Sequence, residues 1–119
     1  MFPFRRGPAR VLPADAHRRA RHEGAVLLDV REPAEWAAGH APGAVHTPLS
    51  ALLAGAGLPS AARGRPLIVI CRSGHRSQRA ARLLTERGAA AVDVKGGMNA
   101  WAAAGLPVVD DRGNNGSIA

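Results

Sequence analysis

Tyrosine is absent, the other aromatics are two tryptophans and two phenylalanines, and cysteine occurs once, as Cys71. A single cysteine excludes an internal disulfide framework and every C-x-x-C zinc or redox pair, so any thiol chemistry falls to Cys71. With 25 alanines among 119 residues and few large rings, the core has to be thin, alanine-padded and aliphatic. Long apolar runs are missing too. The longest uninterrupted stretch of large aliphatics is residues 67–70 (LIVI), far short of the roughly 20 residues that cross a bilayer. The opening MFPFRRGPARVL is broken by prolines and arginines and lacks the apolar segment of a signal peptide. The expectation is a soluble, cytoplasmic protein with no membrane partner.

Acidic residues are the scarcer sign, 9 against 16 basic ones, for a net charge of +7. Lys95 is the only lysine, and the arginines are scattered from Arg5 to Arg112 rather than gathered on one helix face. A nucleic-acid partner is therefore not expected; the excess of alanine and arginine fits the codon bias of a GC-rich genome, and the field serves at most to attract small anions. His17, His22 and His46 show no metal-ligand spacing with any cysteine or carboxylate cluster, so neither metal nor cofactor is expected.

The length suits one domain, read as an N-terminal extension over residues 1–10, a folded domain over 11–109 and a flexible, frayed tail over 110–119. Glycine and proline punctuate the domain into short units. Helices are predicted at 13–23, 32–38, 48–54, 77–87 and 98–104. Strands are predicted at 25–30 (AVLLDV), 44–47, 67–70 and 91–94, with a loose connection at 55–66. Within 77–87, Arg82 and Glu86 have the spacing of a helical ion pair. Strands alternating with helices over short connections imply right-handed crossovers and a parallel sheet. Ligands of such sheets sit at the carboxyl ends of strands, where Asp29 and Cys71 both fall. Trp36 and Trp101 are expected in the core.

Cys71 follows an aliphatic strand and precedes Arg72, Ser73, Gly74, His75, Arg76 and a helix beginning at Ser77. A helix N-terminus offers unpaired N–H groups and positive potential, and a loop with glycine can curl further amides into an anion-binding nest. Arg72 and Arg76 add fixed charge. Cysteines so placed have pKa values lowered from about 8.5 into the ~3.5–7.5 range, which makes Cys71 a candidate nucleophile without an obvious general base.

Three segments together resemble the rhodanese-like (sulfurtransferase) domains: LLDVREPAEWAAGHAPGAVHTPLSAL from Leu27, CRSGHRSQRAARLL from Cys71, and GGMNAWAAAGLPV from Gly96. The likeness runs from about Asp29 to Val109. It implies an α/β rhodanese-like fold, a central parallel sheet flanked by helices on both faces, and a transient persulfide on Cys71. A donor such as thiosulfate would supply the sulfur, and cyanide, a thiol or a sulfur-relay protein would receive it. Arg72, Ser73, Gly74, His75, Arg76 and Ser77 would then form the substrate-binding loop, with the two arginines on the donor's sulfonate oxygens.

Asp29 and Arg31 match the family's D-V-R pattern and admit two readings. In one, Arg31 lends charge to the site while Asp29 orients loop amides; in the other, Arg31 pairs with Glu35 and Asp29 caps the next turn. His40 is read as a hydrogen-bonded structural residue, and Gly96 and Gly97 as a turn near the active face. Two rival functions remain: a docking module that uses the fold without catalysis, and a cysteine-dependent phosphatase or arsenate reductase. The phosphatase loop resembles C-x5-R, whereas Cys71 to Arg76 is C-x4-R, a narrower cradle for three phosphoryl oxygens.

Overall fold

In a computed structural model that describes residues 9–119, a five-stranded, all-parallel sheet carries helices on both faces. The strands are β1 (Arg10–Val11), β2 (Val26–Asp29), β3 (Val45–His46), β4 (Leu67–Ile70) and β5 (Ala91–Val94). The helices are α1 (Pro13–His22), α2 (Pro33–Ala38), α3 (Leu49–Leu53), α4 (Arg76–Glu86) and α5 (Gly97–Ala103). Spatial order is β1-β5-β4-β2-β3, which puts the two most apolar strands, β4 and β2, in the interior of the sheet.

Alternation along these strands divides the core in two, because successive side chains point to opposite faces. Val26, Leu28, Leu67, Val69 and Cys71 meet Leu49, Leu52, Ala80, Ala81 and Leu84 on the face covered by α3 and α4. Leu27, Ile68, Ile70 and Val94 meet Ala16, Met98 and Trp101 on the face covered by α1 and α5. Burial of β2 and β4 on both faces accounts for their unbroken apolar sequences. The alanines at Ala16, Ala80 and Ala81, all fully buried, let the helices lie close on the sheet.

Several expectations need correction. Of the proposed extension, residues 1–8 lie outside the described residues, and Arg10 already pairs with Asp93 in the sheet. The loose connection holds a single 3-10 turn at Ser60–Ala62. Arg82 and Glu86 are both exposed, and neither is among the ion pairs of the described residues. In the tail, the Asp110 carboxylate accepts the Arg112 and Asn114 amides and turns the chain. It then returns across the domain, with the Ser117 amide donating to the Ala38 carbonyl at 2.9 Å and Ile118 packed against the core around Trp101. Among the described residues no helix is long and apolar enough to cross a membrane.

Candidate active site

Cys71 is the first residue after β4 and lies 1% exposed. Its sulfur sits between two groups of its own loop and helix. The Gly74 amide donates to Sγ at 3.1 Å, and the thiol donates to Ser77 Oγ at 3.3 Å. Gly74 has φ +102°, a conformation that L side chains rarely adopt, and a Cβ there would lie 2.7 Å from Arg10 Nη2. Among the described residues the Gly74 amide is the one backbone donor to the sulfur, fewer than the nest expected from sequence.

The loop rests on the N-terminus of α5. Two of the helix's first-turn amides, which lack partners within the helix, are given to loop carbonyls: Met98 N–H to Cys71 O at 2.7 Å and Asn99 N–H to Arg72 O at 2.9 Å. The approach is close enough that a Cβ on Gly97 would meet Cys71 O at 2.4 Å and the Arg72 carbonyl carbon at 2.7 Å. The double glycine, read from sequence as a turn near the active face, is thus the contact that seats the loop.

Charges around the loop are distributed otherwise than expected. Arg76 does not project freely over the site; it makes a two-pronged pair with Glu35 of α2, Nη1 to Oε1 at 2.6 Å and Nη2 to Oε2 at 2.8 Å. That pairing lowers the Glu35 pKa from 4.5 to about 2, the Arg76 hydrogen bond being the main cause, and raises that of Arg76. Arg72, Ser73 and His75 form the exposed rim, with Ser73 Oγ and His75 Nδ1 3.2 Å apart. Arg72 is the loop arginine without a carboxylate partner among the described residues.

Asp29 and Arg31 are both 0% exposed and pair with each other, Nη2 to Oδ2 at 2.8 Å. Arg31 also donates to the Gly39 carbonyl at 2.6 Å and the Glu35 carbonyl at 3.3 Å. The first reading does not hold, since Asp29 does not reach the Cys71 loop; of the second, Arg31 pairs with Asp29 rather than with the Glu35 carboxylate, but Asp29 does cap the next turn. Asp29 accepts the Arg31 amide at 3.0 Å, the expected cap, and the pair fastens β2 to α2, the helix that supplies Glu35. His40 bonds the Trp36 carbonyl at 2.7 Å, as expected of a structural histidine. Trp101 is core, but Trp36 is only half-buried, stacked on His40 and His46.

Two residues of the site were not singled out from sequence. Asp93, 0% exposed on β5, accepts the Ser77 hydroxyl at 2.8 Å and pairs with Arg10 of β1, Nε to Oδ1 at 3.0 Å. Arg10 also donates to the Gly74 carbonyl at 3.0 Å. A signal was present: in AVDV a carboxylate interrupts a short apolar strand. A cavity of about 570 Å³ lies at the opposite, amino-terminal edge of the sheet between Leu58, Arg63, Pro66, Leu84 and Arg87.

A parallel α/β sheet whose single cysteine closes a central strand and enters a short loop before a helix defines the class. The chain belongs to the rhodanese-like domain family, whose model matches residues 12–104. It is 36% identical over 99 residues to a protein of Allochromatium vinosum named sulfurtransferase, covering 82% of this chain and 91% of that one. The crystal structure of a rhodanese-related protein from Thermoplasma volcanium superposes with a TM-score of 0.75 at 33% identity, over 85% of this chain and 97% of that one. A Rhodopseudomonas palustris protein of unknown function, described as a possible tyrosine phosphatase, shares the fold: TM-score 0.71, 23% identity, 91% and 98% coverage.

Proposed function

We propose that the protein is a sulfurtransferase that carries sulfane sulfur as a persulfide on Cys71, with thiosulfate or another persulfide as donor. The ionised sulfur attacks the outer sulfur of thiosulfate; a new S–S bond forms, the donor's own S–S bond breaks, and sulfite leaves with the electron pair. An acceptor such as cyanide or a thiol then attacks the terminal sulfur, and Cys71 departs as thiolate. No cofactor enters either step.

The observation that carries this reading is the Gly74 amide directed at Sγ from 3.1 Å inside a loop seated on α5, a fixed donor where anionic sulfur develops. Donor binding falls to Arg72, because the Arg76 guanidinium is occupied by Glu35. The same occupation weighs against phosphoryl transfer, which needs a closing arginine free to bind the oxyanion. An intact loop around the cysteine weighs against a purely docking role.

The test is thiocyanate production from thiosulfate and cyanide. Turnover that disappears in Cys71→Ala is the expected outcome; turnover that survives in that variant overturns the proposal. Cys71-dependent hydrolysis of an aryl phosphate, without thiocyanate formation, would favour the phosphatase instead.

A further inference from the structure

The hydrogens around Cys71 can be counted. Asp93 Oδ2 accepts a hydrogen bond from Ser77 Oγ at 2.8 Å, and an Arg10-paired carboxylate only accepts. The single Ser77 hydroxyl hydrogen is therefore spent on Asp93. What Ser77 turns toward Sγ, 3.3 Å away, is a lone pair, and the bond between them exists only while the thiol supplies its own hydrogen.

We propose that Asp93 is a positioning residue that sets the direction of the Ser77 hydroxyl and leaves the bare thiolate of Cys71 with less support than the thiol. In the thiol, the S–H reaches Ser77 and the O–H reaches Asp93, so every partner is satisfied. When the thiol ionises, two anions compete for one hydrogen and the carboxylate is the nearer. The sulfur then keeps only the Gly74 amide. With a second sulfur attached, as the persulfide reading on which this inference rests would have it, the charge moves to the terminal sulfur, but Sγ still has no hydrogen to give Ser77 Oγ. The device therefore favours the resting thiol over the reactive thiolate.

The other charged groups facing the site do not reverse this. Arg10 of β1 is bound to Asp93 and to the Gly74 carbonyl. Arg76 of α4 is paired with Glu35 of α2, and Arg31 with Asp29 of β2. Arg72 and His75 lie on the exposed rim, and α5 contributes amides from Met98 and Asn99.

The absence of tyrosine and the single cysteine allow the thiolate to be followed by its ultraviolet absorbance as pH is raised, with no sulfur donor present. Ser77→Ala removes a partner that serves only the thiol, so the ionisation midpoint should fall by about half a pH unit or more. A rise, the result if the hydroxyl donated to the anion, or an unchanged midpoint overturns the proposal. Asp93→Asn should lower the midpoint further, since an amide can donate to Ser77 Oγ and release its hydrogen to the sulfur. In a Ser77→Ala background the effect of Asp93→Asn should shrink to half or less; an equal shift in both backgrounds would assign it to charge alone and overturn the role of Ser77. Should Asp93→Asn fail to fold, the sign of the Ser77→Ala shift still decides. If the midpoints move as expected but thiosulfate never loads sulfur, the proposed function fails and the positioning role stands; unmoved midpoints with intact loading give the reverse.

Discussion

Two ion pairs brace the Cys71 loop from opposite sides, and they differ in burial more than in chemistry. On the α2 side, Arg76 and Glu35 keep side-chain exposures of 34% and 21%; on the β5 side, Arg10 is 32% exposed but Asp93 is 0% exposed. Water can replace either partner of the outer pair, so its loss is cheap and its main effect is on the charge that a donor meets. Nothing replaces Arg10 for a carboxylate inside the sheet. The inner brace is therefore structural and positional, while the outer one is electrostatic.

The contrast is sharpest at the floor both braces share. Gly97→Ala places a methyl 2.4 Å from Cys71 O at φ +58° and should cost about 3 kcal/mol, combining a left-handed backbone penalty with overpacking. Gly105→Ala has a similar φ of +75° but open space around it and should cost only about 1 kcal/mol. Denaturant melts of the two variants check the difference. On the inner side, Arg10→Ala leaves the buried Asp93 carboxylate without its cation; a loss of about 2 kcal/mol is expected, below the figure for a fully enclosed pair because Arg10 is partly solvated.

At the rim, Arg72→Gln should raise KM for thiosulfate about tenfold, some 1.4 kcal/mol, with kcat little changed, as for removal of uniform binding. The outer pair gives the smallest effect. Glu35→Gln should cost about 1 kcal/mol or less after solvent screening, and by freeing Arg76 should lower KM for an anionic donor. Its pH dependence has a definite sign: Glu35 titrates at about 2 when folded against an ordinary 4.5. The stabilisation is full above about 4.5 and is lost as pH falls through about 2. Melting points followed across that window should drop less in the variant than in the parent.

The parts of the fold legible in sequence were those with local causes. Apolar runs at β2 and β4 marked strands buried on both faces, glycines marked the ends of units, and the cysteine loop stood out by its place between strand and helix. Partnerships across the chain were not legible. Glu35 and Arg76 are 41 positions apart and Arg10 and Asp93 are 83 apart, and no periodicity links such pairs. The two residues of β1 are too few to show alternation. Residues 110–119 are polar enough to read as solvent-borne, and only their docking on Ala38, Val108 and the Trp101 cluster reveals otherwise. Arginine number likewise misled: Arg76 lies in the loop by sequence but is spoken for in space.

The central claim, that Cys71 holds transferable sulfur, is tested most directly by weighing the intact protein after exposure to thiosulfate. The expected spectrum shows a gain of one sulfur atom that cyanide removes and that Cys71→Ser never acquires. An unchanged mass in the parent protein, or the same gain in the variant, would contradict it.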